Sequence, residues 1–178
     1  ATYTGDNNRR HQAMQQVLLY LLRLAGATAT SLAFTVGGDL TQDASPISAW
    51  GLSVTSTAGA VTLTNAANSV EAITIANPGR PVAYTDASGF VVNGLSGGSV
   101  VLVAAGDVAQ GAGAIAASTL SVTNTAGGVV LQNAANDVGT LAVANASFVV
   151  PAAGSGGWSV VRVAYRGGAS NDFRVFLD

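Results

Sequence analysis

The segment LSVTSTAGAVTLTNAANSVEAITIAN, Leu52 to Asn77, returns in closely similar form as LSVTNTAGGVVLQNAANDVGTLAVAN, Leu120 to Asn145. The match extends upstream at the same offset, pairing Gly38-Asp39 with Gly106-Asp107, Gln42 with Gln110 and Ile47 with Ile115. More than half of positions 38 to 77 are identical to their counterparts. Self-similarity at a fixed period is the signature of stacked units that cannot bury an apolar face alone and so share one continuous core.

Within the repeat the hydrophobic period is two. Leu52 and Val54, Val61 and Leu63, Ile73 and Ile75, Val129 and Leu131, and Leu141 and Val143 alternate with small or polar residues, and Gly, Asn and Asp punctuate the runs. That text predicts short strands. A sandwich puts each strand in its own environment and gives no reason for residues to match so far along the chain. A parallel β-helix stacks equivalent residues in columns. The NAAN motifs at Asn65–Asn68 and Asn133–Asn136 suit its turns, because side-chain amides can hydrogen-bond along the stack and Asn tolerates a left-handed backbone. Three coils between Leu52 and Leu120 would make each about 22 residues long, rising about 4.8 Å per coil, with about five or six coils in the middle segment.

The flanks read differently, and the chain divides into a helical cap or attachment segment (1–30), solenoid repeats (31–155) and a terminal hairpin (156–178). A helix is expected from about Asn8 to Ala25, with Asp6, Asn7 or Asn8 as N-cap and Gly26 as its stop. Met14, Val17, Leu18, Leu21, Leu22 and Ala25 lie on one apolar face. Strands at Trp158–Arg166 and Phe173–Asp178 joined through Gly167-Gly168 suggest the hairpin. Open solenoid ends invite edge-to-edge pairing, and these two elements are placed to cover them. The interface residues expected are Arg9, Arg10, Met14, Leu18 and Leu21 at one end. At the other they are Trp158, Arg162, Tyr165, Arg166, Phe173, Arg174 and Phe176, residue types favoured at interface hot spots.

Composition excludes several functions. Charged residues are 9% of the chain, with a net charge of −2 and no Lys, against roughly 25% charged residues in ordinary soluble domains. Such a surface offers no electrostatic footprint for phosphate, so nucleic acid is not an expected partner. No apolar run of about 18 residues exists to cross a bilayer. Val17–Ala25 resembles a secretory h-region in outline, but Arg23 interrupts it. Without cysteine there are no disulfides or thiolate metal sites.

Catalytic chemistry finds few candidates. Glycan-cleaving β-helices need two carboxylates about 5 to 9.5 Å apart, whereas Asp39 and Asp107, three coils apart, would be separated by about 14 Å. Both read as turn residues capping backbone, as do Asp86 and Asp137. Glu71 faces Gly139 in the other copy, so it has no repeated role. His11 is the sole histidine, without the partners of a nucleophilic triad. The calcium nonapeptide, EF-hand and HExxH patterns are absent, and Gly97-Gly98 and Gly111-Ala112-Gly113 are not followed by the Lys of a phosphate loop. No catalytic residue, cofactor or metal ligand is assigned. Asn145-Ala146-Ser147 matches a glycosylation sequon.

Segments such as GAVTLTNAANSV, GGVVLQNAANDVGTLAVAN and AGDVAQGAGAIAASTLSVTNTAGG resemble the repeats of filamentous haemagglutinin-type exoproteins and autotransporter passengers over roughly Gly37 to Val150. The resemblance implies an all-β, right-handed parallel β-helix serving mostly as a shaft. The expected protein is therefore a non-enzymatic structural component of an external assembly. Compact length, no credible export signal and two distinct ends point to a bacteriophage virion protein at the virion surface: a fibre, spike or capsid decoration. Its expected partners are copies of itself and other structural proteins of the particle, with a surface glycan also open. The alternatives are a fragment of a haemagglutinin-like adhesin, extracellular or on the bacterial cell surface, and a glycan-cleaving β-helix enzyme.

Overall fold

The structure is a computed structural model that describes residues 21–145. They form twelve strands, every pairing parallel: β1 (Leu21–Leu24), β2 (Ala27–Val36), β3 (Asp39–Gln42), β4 (Ile47–Ser56), β5 (Val61–Leu63), β6 (Ser69–Ala76), β7 (Val82–Asp86), β8 (Phe90–Ala104), β9 (Val108–Gln110), β10 (Ile115–Asn124), β11 (Val129–Val130) and β12 (Asp137–Asn145). Each strand pairs with one about a coil later, which makes the chain a parallel β-solenoid, as the period-two text and the repeat require. Leu22, Leu40, Val61, Val82, Val100, Leu120 and Leu141 follow one another in register along one column, marking six turns. A second column runs Phe34, Val54, Ile75, Leu95, Ile115.

The inward positions of these columns form one core. Leu40, Ile47, Val61, Leu63, Ile73, Val82, Tyr84, Val92, Leu102, Ile115 and Leu120 are buried in it, while Thr, Ser and Ala alternate outward. At about 25 cal/mol per Å² of apolar surface removed from water, each such side chain favours the folded state by about 1.5–3 kcal/mol. Burial is thinner in the last described coil, where Val129, Leu131, Val138 and Leu141 are half-buried.

The coil is shorter than the sequence suggested. Every step along the Leu22–Leu40–Val61–Val82 column and its continuation falls short of the expected coil length, the steps from Leu22 to Leu40 and from Val82 to Val100 most of all. The repeat unit is therefore not three coils. Leu52 stacks on Ile73, Val92 and Gln110, which completes three turns, and Leu120 then falls half a coil further round. Leu120 accordingly belongs to the column of Leu40, not to that of Leu52, although both side chains enter the same core. The exchange happens at the long strand β8, whose first part pairs with β6 and whose second part pairs with β7.

A register shift between Ile73 and Thr74 inserts Asn93 into β8 at this exchange. The neighbouring coil accommodates the bulge by having no side chain there. A Cβ on Gly111 would run into the Asn93 amide, and one on Gly113 into the Asn93 carbonyl.

The start of the solenoid also differs from the reading above. Leu21–Leu24 is a strand, not the last turn of a helix, and residues 27–30 already belong to β2, so the repeats begin before residue 31. Leu22 and Leu24 are in register with Leu40 and Gln42. Leucine favours a helix by only a few tenths of a kcal/mol over a β-former, and a parallel ladder with a ready apolar column outweighs that. Gly26, at φ 78°, turns the chain between β1 and β2 instead of ending a helix. The remainder of the expected helix (8–20) and the hairpin after Gly156 lie outside the described residues. So do Arg9, Arg10, Met14, Leu18, Trp158, Arg162, Tyr165, Arg166, Phe173, Arg174 and Phe176. Among the described residues no helix is long and apolar enough to cross a membrane.

Candidate functional site

The polar side chains of the repeat are spent on fastening one coil to the next. Asn68 is fully buried; its Oδ1 accepts from the Ile47 N–H (2.8 Å) and from Gln42 Nε2 (2.6 Å). Its Nδ2 donates to Gln42 Oε1 and to the Thr85 carbonyl, both at 3.0 Å. In the second copy Asn136 Oδ1 accepts from the Ile115 N–H (2.8 Å) and Gln110 Nε2 (2.6 Å), and its Nδ2 donates to Gln110 Oε1 (2.9 Å). Asn65 and Asn133 each close a local turn, accepting from Ala67 N–H and Ala135 N–H, and donate across to the Ala44 and Ala112 carbonyls of the previous coil. The amides thus bind backbone and a Gln amide of the adjacent coil and do not pile Asn upon Asn. They do so without the left-handed backbone expected of them: among the described residues only Gly26, Gly79 and Gly127 have positive φ.

The carboxylates are used in the same way. Asp39 Oδ1 accepts from the Ala60 N–H at 2.8 Å, and Asp107 Oδ1 accepts from the Gly128 N–H at 2.7 Å, each reaching the coil that follows. These are turn caps, as the sequence suggested, but they cap across coils. The two Asp are not stacked above each other, because the copies are turned by half a coil. Asp86 is more than a turn residue. It is buried and accepts from the Val70 N–H (2.9 Å), the Tyr84 hydroxyl (2.6 Å) and the Ser88 N–H and hydroxyl. Burial, and then the hydrogen bond and charge of Asp86, push the Tyr84 hydroxyl far above its ordinary pKa of 10.0. Phe90 packs edge-on against the Tyr84 ring, centroids 5.1 Å apart. Asn77 Oδ1 and Asn124 Oδ1 are buried without a hydrogen-bond donor among the described residues.

Two comparisons bear on this arrangement. The profile of a family described as repeats of unknown function (DUF5649) matches residues 21–77 and again 79–145. The chain belongs to this family. The two DUF5649 matches end at Asn77 and Asn145, equivalent positions of the two copies, so each carries one full set of clamps. No curated protein and no solved structure matches the chain significantly.

What the DUF5649 scaffold leaves available is its outer surface, and there the sequence reading overlooked a residue. Trp50 on β4 is 68% exposed, while the aromatic side chains of Tyr84 and Phe90 are buried. The detectable signal was the repeat itself, since Trp50 corresponds to Ser118. Glu71, set aside for lacking a repeated counterpart, occupies the same rung as Trp50 one coil on, between the paired Ala49–Val70 and Gly51–Ala72. Among the described residues no group of three His, Cys, Asp or Glu could hold a metal ion.

Proposed function

We propose that this protein is a non-enzymatic structural component of an external assembly, and most specifically a bacteriophage virion protein such as a fibre, spike or capsid decoration. The observation that carries the reading is the duplicated clamp. Gln42 and Asn68 with Asp39, and Gln110 and Asn136 with Asp107, turn the polar side chains best able to do chemistry into fasteners between coils. Two such clamp sets within a six-turn solenoid make a lightly charged shaft, as a repeated particle component needs. Asp39 and Asp107 each hold a backbone N–H of the following coil and lie on different columns of the solenoid, which counts against the paired carboxylates of the glycan-cleaving alternative.

The test is fractionation of the producing cells and their particles with an antibody against the solenoid. The protein is expected in purified virions at a fixed ratio to the capsid protein, and as an oligomer when released from them. Recovery only as a free monomer overturns the virion reading. Recovery in the cell envelope, on a much longer polypeptide, supports the haemagglutinin-like adhesin instead.

A further inference from the structure

Trp50 lies in a grid of outward positions. The rung Thr30–Trp50–Glu71 crosses β2, β4 and β6, and two positions before it along each strand runs the rung Thr28–Ser48–Ser69, in register. All six residues are exposed. Neighbouring rungs are about 4.8 Å apart across the strands, and alternate positions on one strand about 6.6 Å apart. An indole, a carboxylate and four hydroxyls therefore share one small patch.

The second copy supplies an internal control. On the equivalent strands β10 and β12 the corresponding positions are Ala116 with Ser118 and Asp137 with Gly139, again in register. Shaft function is thus compatible with small side chains at this rung, and a Cβ on Gly139 would press on the Ser118 carbonyl. An exposed Trp is not needed to hold a coil. It gains nothing from the core, and burial of its apolar face by a ligand would remove a large surface from water.

We propose that the Thr30–Trp50–Glu71 rung is a binding platform for an uncharged glycan chain. The apolar C–H face of a pyranose stacks on the indole, Glu71 accepts hydrogen bonds from ring hydroxyls, and Ser48, Ser69, Thr28 and Thr30 donate to or accept from flanking ones. Charge selects the neutral class. The described solenoid carries Arg23 and Arg80 against Asp39, Asp43, Glu71, Asp86, Asp107 and Asp137, so an acidic polysaccharide is repelled. The inference stands apart from the virion reading, since the platform serves a shaft in any external setting.

Affinity electrophoresis of the full chain through gels containing neutral polysaccharides (a glucan, a mannan and a galactan) and one acidic polysaccharide tests it. Variants are drawn from the other copy: Trp50→Ser and Glu71→Gly. At least one neutral gel is expected to retard the native chain. Trp50→Ser is expected to weaken that retention about tenfold or more and Glu71→Gly about threefold or more, the range of one interface anchor and one supporting contact. Both side chains point outward, so circular dichroism and the melting temperature are expected to match the native protein, which separates lost binding from lost fold. Equal mobility of native chain and Trp50→Ser in every neutral gel overturns the proposal. So does unchanged glycan retention with altered sedimentation of Trp50→Ser, which would make Trp50 a contact between copies.

Discussion

The two copies of the repeat carry the same fasteners on different parts of the rod. Residues 38–77 and 106–145 share the Gln–Asn clamp, the NAAN turn and the Asp cap at matching distances. Yet the second copy is rotated by half a coil, so its Leu120 stacks in the column of Leu40. What the copies hold in common is thus the bonding within and between adjacent coils, not a face of the molecule. Where they part, at Trp50 against Ser118 and Glu71 against Gly139, nothing in the core depends on the difference. Fasteners that reach only one coil away make this possible, because each copy needs the right neighbour and not the right face.

The copies also differ in depth, and the largest effects should expose it. Ile73 is fully buried at the centre of the rod, whereas its counterpart Leu141 is half-buried in the last described coil. Ile73→Ala is expected to cost about 4 kcal/mol and Leu141→Ala about 2 kcal/mol, from lost transfer energy plus cavity. Urea midpoints at fixed slope would read both, and equal losses would show that the second copy is packed as deeply as the first.

Next in size is the clamp. Asn68→Ala leaves the buried Ile47 N–H without its acceptor and removes the bonds to the half-buried Gln42 amide and Thr85 carbonyl, with an expected loss of about 3 kcal/mol. Asn136 makes the equivalent bonds to Ile115 and Gln110 but is half-buried, so water can take over part of them; Asn136→Ala is expected to cost about 1.5 kcal/mol. Should Asn136→Ala prove the worse of the two, exposure does not grade the clamps.

A third contrast sets a buried pair at the junction against both copies. Folding raises the Tyr84 pKa above its unfolded 10.0, so the folded chain keeps a proton that the unfolded chain releases. The contribution to stability is full below pH 10 and declines as pH rises beyond it. Tyr84→Phe is expected to cost about 1–2 kcal/mol at neutral pH, since Asp86 loses its hydroxyl donor, and to flatten the decline at alkaline pH. An unchanged alkaline slope in the variant would assign that decline to other groups.

Much of this fold was legible because a repeat states its own architecture. Period two in Leu52–Val54 and Ile73–Ile75, together with the echo at Leu120–Val122 and Leu141–Val143, specifies parallel strands with matched environments, and the columns follow. Coil length was not legible. Three equal coils fit neatly between Leu52 and Leu120, and nothing in the text reveals that shorter coils finish three turns at Gln110, half a coil before Leu120. The start is ambiguous for a different reason: Leu21, Leu22 and Ala25 satisfy a helical face as well as Leu22 and Leu24 satisfy a strand, and only the waiting Leu40 column decides. As for the outer platform, recurrence marks the residues that hold coils together, whereas Glu71 and Trp50 stand out because they do not recur.

The smallest contrast is one where the copies should agree. Asp39 and Asp107 are both exposed, and each accepts one backbone N–H from the following coil, at 2.8 and 2.7 Å. The receiving turns differ slightly: Gly127, at φ 100°, lies close against Asp107, while the first copy has Gly59 there with ordinary φ. A hydrogen bond from backbone to an exposed carboxylate is worth about 1 kcal/mol net, because water competes for both partners. Asp39→Ala and Asp107→Ala are therefore each expected to lower stability by about 1 kcal/mol, and the double variant by the sum, since the two sites share no partner. Thermal unfolding of the singles and the double would measure this. A coupling well above about 0.5 kcal/mol would mean that strain travels between the copies along the rod, so that fasteners cannot be treated as reaching one coil only.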